Sequence, residues 1–73
     1  MTAPKMTGRA LVAALNGAGF LVVRARGSHT LLRHADGRAS VVPVRFGETV
    51  GPGLLARILA DVRLTPDELA DLL

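Results

Sequence analysis

The sequence predicts a small α+β domain: a layer of three antiparallel strands covered by helices, in the order helix, three strands, helix, short helix. Three observations predict it. Apolar residues near the start, and again over residues 54–62, recur at helical spacing. Between them lie three β-branched and apolar runs too short for helices. Arg26-Gly27-Ser28 and Asp36-Gly37 separate those runs as tight turns, so the strands follow one another as a meander.

Each element has its own local cause. Residues 1–6 read as a frayed terminus. Thr7 is an N-cap for a first helix over residues 8–16, because its hydroxyl accepts an otherwise orphaned amide. Ala10 stands where a capping box needs Glu or Gln, so that cap is one-sided. Leu11, Val12 and Leu15 form the apolar stripe, and Asn16, Gly17 and Gly19 end the helix. Phe20–Arg24 is the first strand, His29–His34 the second and Ala39–Val44 the third, with Pro43 marking an edge or a strand end. Residues 45–51 are a loop. Pro52 suits the first turn of a second helix with the stripe Leu54, Leu55, Ile58, Leu59 and Val62. Thr65-Pro66-Asp67-Glu68 is a complete helix start, followed by Leu69, Leu72 and Leu73. Three strands cannot cover both of their own faces. Helices on one side leave the other open to solvent or a partner, which is the layout of a double-stranded-RNA-binding-like fold.

Composition narrows the function. At 73 residues the chain, 1–73, is expected to be a single domain with an aliphatic core supplemented by Phe20 and Phe46. It has no cysteine, which excludes disulfides and Cys-based zinc sites. No apolar run reaches the roughly 18 residues of a membrane span, and no secretory segment follows Met1, so a cytoplasmic protein with no membrane partner is expected. The net charge of +3 is unevenly spread. Residues 1–45 carry seven cations and one carboxylate, a balance of +6; residues 46–73 carry two against five, a balance of −3. Eight of the nine cations are arginine, the side chain that grips phosphate with a planar fork and stacks on bases. A nucleic acid is the partner this composition favours over a merely soluble surface.

One end of the meander gathers the candidate chemistry. The end of the first strand lies beside the start of the second, and the third strand returns to the same end. Arg24, Arg26, His29 and Arg45 are therefore expected on one rim. An imidazole can take or give a proton near neutral pH, and arginines can stabilise charge developing on a phosphate. Gly27 would let a ligand approach the backbone, and Ser28 offers a hydroxyl and an amide to a phosphate oxygen. No grouping of carboxylates or histidines suggests a metal site, and no cofactor is expected. His34, near Asp36-Gly37 at the opposite end, reads as structural, and Arg33 and Arg38 as a solvated hairpin.

Taken in order, these residues resemble the HicA toxin family, the small messenger-RNA-cleaving halves of HicAB toxin–antitoxin pairs. The resemblance runs from Thr7 to Leu73. It rests on Gly19-Phe20, Val23-Arg24-Ala25-Arg26-Gly27-Ser28-His29, Arg33-His34-Ala35-Asp36-Gly37-Arg38, Val42-Pro43-Val44, Gly47-Glu48, Gly51-Pro52-Gly53-Leu54-Leu55, Ile58-Leu59 and Leu64-Thr65-Pro66-Asp67-Glu68-Leu69. The resemblance implies a double-stranded-RNA-binding-like fold, endoribonuclease activity on mRNA, and a HicB-like antitoxin that covers the active histidine, which falls on His29. Operator DNA is a further candidate partner of the toxin–antitoxin complex. One position departs from the family: members commonly carry histidine after Val-Pro-Val, where this chain has Arg45. His29 is then the only histidine at the rim, and a two-histidine acid–base mechanism is excluded. Two readings follow. In one, His29 is a catalytic acid/base, with Arg24, Arg26, Gly27, Ser28 and Arg45 binding RNA. In the other, the chain is a non-catalytic or attenuated RNA- or partner-binding module of the same fold.

Overall fold

Caps and turns set the element boundaries, and the structure, a computed structural model, describes residues 5–73 of the chain. The Thr7 hydroxyl accepts from the Ala10 amide at 3.1 Å and starts α1 (Gly8–Gly17). Such a cap contributes about 1 kcal/mol. Gly19, with φ of +95°, turns the chain out of the helix into β1 (Phe20–Arg26). This strand runs two residues beyond the predicted end. The loop to β2 (His29–His34) is accordingly just Gly27-Ser28, with Gly27 at φ +57°.

The second hairpin is closed by side chains. The Asp36 carboxylate accepts from the Arg38 amide at 3.0 Å, and Gly37 takes φ of +98° before β3 (Ala39–Pro43). Pro43 ends that strand, one residue earlier than predicted, since it has no amide to donate. The sheet order is β1-β2-β3, all antiparallel. Pro52 opens α2 (Pro52–Val62), which ends at Arg63 in the left-handed conformation. The predicted capping box starts α3 (Pro66–Asp71): the Thr65 hydroxyl accepts from the Glu68 amide and the Glu68 carboxylate accepts from the Thr65 amide.

The helices cover one face of the sheet, where Phe20, Leu32, Ser40 and Val42 are buried. Against them pack Leu11, Ala14 and Leu15 of α1, Leu55, Ile58, Leu59 and Val62 of α2, and Leu69 of α3. Each fully buried large aliphatic side chain contributes roughly 1.5–3 kcal/mol of transfer free energy. Leu72 joins the edge of this core, but Leu73, expected in the same stripe, is exposed.

Three features correct the sequence reading. Met6 belongs to the core rather than to a frayed end: it is 6% exposed, and its carbonyl accepts from the Val50 amide at 2.8 Å. A Thr7–Thr49 bridge extends that tie, while residues 1–4 of the expected frayed segment lie outside the described residues. Phe46, expected in the core, is fully exposed at 104%. Gly8 matters for close approach, which local sequence does not signal. A Cβ there would lie 2.1 Å from the Pro43 carbonyl oxygen, so only glycine lets α1 begin against the end of β3.

Candidate functional site

The open face of the sheet is set by one irregularity in β1. Val22 pairs with Leu32, yet Arg24 pairs with Leu31, so Val23 is an extra residue. Such a bulge reverses the alternation of the strand beyond it. Phe20 and Val22 fall on the helix side, whereas Arg24 and Arg26 fall on the open side. Directly paired residues share a face. Arg26 therefore stands with His29 and Pro43 in the last row of the sheet, and Arg24 with Leu31 and Val41 in the row before it.

A backbone bond completes this end. The Val44 amide donates to the Ser28 carbonyl at 2.5 Å, fastening the exit of β3 to the first hairpin. Arg45 follows at once. A groove of about 700 Å³ runs along β3 towards α2, and His29, Pro43, Arg45 and Arg57 line it, with Glu48 and Asp61 as its carboxylates. His29 and Arg45 thus share one cavity, with Arg26 beside His29 on the same face. Arg24 is one row further in, and neither Arg24 nor Arg26 lines the groove itself. Asp61 also accepts a hydrogen bond from the buried Ser40 hydroxyl at 2.8 Å.

Gly27 and Ser28 hold the turn. A Cβ at Gly27 would meet nothing within 4 Å, so within this chain its glycine serves the positive φ rather than a close approach. Ser28 is half-buried and supplies the carbonyl that Val44 uses. Arg57 has no distinguishing signal in the sequence. Its neighbours Leu55, Ile58 and Leu59 mark α2 as a core helix, and only the position of that helix beside β3 brings Arg57 to the groove.

His34, Asp36 and Arg38 of the second hairpin are structural. The His34 ring packs edge-on against Phe20 at 5.1 Å, and its Nδ1 lies 3.1 Å from both the Asp36 amide and Asp36 Oδ1. When neutral, the ring accepts from the amide. Arg38, read from the sequence as part of a solvated hairpin, is instead fully engaged. It donates from Nε to Asp36 at 2.8 Å and from a terminal nitrogen to the Val62 carbonyl at 2.7 Å, with its guanidinium 5.1 Å from the centre of the Phe20 ring. It therefore caps the C-terminal end of α2, where a cation also meets the negative end of the helix dipole. The Arg38 amide, helped by its guanidinium, holds the Asp36 carboxyl below its ordinary value.

Among the described residues, no three His, Cys, Asp or Glu side chains gather as a metal site, and no helix is long and apolar enough to cross a membrane. A family model described as the HicA toxin of bacterial toxin–antitoxin systems matches residues 8–64. No curated protein matches the chain.

Proposed function

The chain belongs to the HicA toxin family of bacterial toxin–antitoxin systems, and from that premise we propose that it is an endoribonuclease in which His29 is the single acid/base. The observation that carries the reading is the last row of the sheet, where Arg26 pairs directly with His29, together with Arg45 lining the same groove as His29. The neutral imidazole takes the proton of an RNA 2′-hydroxyl. The resulting oxygen attacks the adjacent phosphorus, the bond to the 5′-oxygen breaks, and a 2′,3′-cyclic phosphate forms. Water supplies the proton that the departing 5′-oxygen needs, since Arg45 occupies the position where a second histidine would serve. Arg24, Arg26 and Arg45, with the Gly27-Ser28 turn, hold the phosphate and offset the charge it gains in the transition state. A positioned general base contributes on the order of 10²–10⁴-fold.

A toxin of this kind has an antitoxin partner. The partner we assign is a HicB-like protein that covers His29. The test is to incubate the purified protein with a long single-stranded RNA in EDTA, beside His29→Ala. The reading expects cleavage by the unsubstituted protein alone, with RNA affinity retained by the variant. Binding without cleavage by either protein would favour the second reading, a binding module or attenuated toxin, for which Arg45 is the specific sign.

A further inference from the structure

We propose that Phe46 is a stacking platform for one unpaired nucleobase of a single-stranded RNA seated beside His29; the inference rests on the reading of the groove as an RNA site. Phe46 is one of only two aromatic side chains among Phe, Trp and Tyr in the protein, and it is fully exposed while Phe20 is fully buried. It does not sit on a loose segment. Arg45–Glu48 is a tight turn closed by the Glu48 amide donating to the Arg45 carbonyl at 3.1 Å, with Gly47 at φ +75°. A glycine with positive φ at the third position is the mark of a type II turn, which presents the second residue at its corner. That residue is Phe46.

Both ends of the turn are fastened. Upstream, Val44 is bonded to Ser28; downstream, Thr49 bridges to Thr7 and Val50 is buried and bonded to Met6. The Arg45 guanidinium lies 3.8 Å from the Glu48 carboxylate across the turn. An aromatic ring is thus held outward next to an arginine that lines the groove with His29. An aromatic face beside cations is the arrangement that receives a nucleobase whose own face is free. A base inside a duplex has both faces covered, so the platform selects single strands.

The protein contains neither Trp nor Tyr, so the emission of a Phe46→Trp variant reports position 46 alone. The probe is a short single-stranded RNA with 2′-O-methyl groups, which cannot be cleaved by its own 2′-oxygen, labelled at one end for anisotropy. A blunt duplex of the same sequence is the comparison. The expected result is that the single strand quenches the tryptophan and the duplex does not, while Phe46→Ala weakens single-strand binding about 10-fold, the equivalent of one stacked base. Anisotropy that reports single-strand binding, with tryptophan emission and Phe46→Ala affinity both unchanged, would overturn the platform and leave the RNA reading standing. No binding of either RNA would overturn both. A tryptophan that responds only to the antitoxin, and not to RNA, would assign Phe46 to a protein interface and overturn the platform.

Discussion

Phe20 and Arg26 are six residues apart on β1 and fall on opposite faces of the sheet. Strict alternation would put them on the same face. The bulge at Val23 separates them, leaving Phe20 in the core and bringing Arg26 to the open face beside His29. Bulges commonly re-aim side chains in this way next to functional sites.

The first prediction follows from that row. Arg26→Ala should weaken RNA binding and reduce the dependence of log K on log salt by roughly 0.7 for a single strand, as one lost phosphate contact would. His29→Ala should leave that slope unchanged while removing cleavage. Titrations at several salt concentrations check it, and equal slopes for Arg26→Ala and the unsubstituted protein would remove Arg26 from the phosphate contacts.

Gly8 and Gly53 should respond to alanine in opposite directions. At Gly8 the new methyl group would collide with the Pro43 carbonyl, and neither backbone can move without disturbing the core. The cost should be about 1–3 kcal/mol or more. At Gly53, inside α2, nothing lies within 4 Å, and alanine should stabilise by roughly 0.4–1 kcal/mol by restricting the unfolded chain. Urea denaturation of the two variants is sufficient to compare them.

Arg38 and Arg33 should also differ, although both sit at the second hairpin. Arg38→Ala removes the bonds to Asp36 and to the Val62 carbonyl, as well as the cover over Phe20. The loss should be on the order of 1.5–3 kcal/mol. Arg33 is exposed on the open face, and Arg33→Ala should stay within about 0.5 kcal/mol. Thermal unfolding would show the difference, and equal losses would contradict the role given to Arg38.

Two carboxylates should shape the acid limb of stability. The Arg38 amide lowers the Asp36 pKa from 3.8, and the Thr65 amide lowers that of Glu68 from 4.5. The folded values lie below the unfolded ones, so the stabilisation is present above the ordinary values and is lost as pH falls through the lowered ones. Combining Asp36→Asn with Glu68→Gln should therefore lower stability near neutrality and flatten its decline between about pH 5 and the acid extreme. Denaturation midpoints measured across that range check the sign.

Much of the fold was legible because its signals are local. Thr7 caps through an amide three residues away, Thr65 and Glu68 complete each other's bonds, and Gly37 supplies the φ its turn needs. The meander follows from such short turns, and with it the return of the third strand's end to the start of the second. His29 and Arg45 are neighbours for that reason, and their proximity could be anticipated from strand order alone.

The order of elements, their caps and the basic character of the first two-thirds are written in local residue patterns. Which side of the sheet each residue serves was settled by packing. The Val23 bulge, not the strand pattern, turned Arg24 and Arg26 outward. The position of α2 beside β3 brought Arg57 into the groove, and the contact between α1 and Pro43 made Gly8 indispensable. Phe46 lies outside the core because the turn at Arg45–Glu48 is fastened on both sides and holds it there. Local sequence controls dihedral angles and bonds over a few residues. Burial depends on which distant surfaces meet, and that is set by the packing of the whole chain.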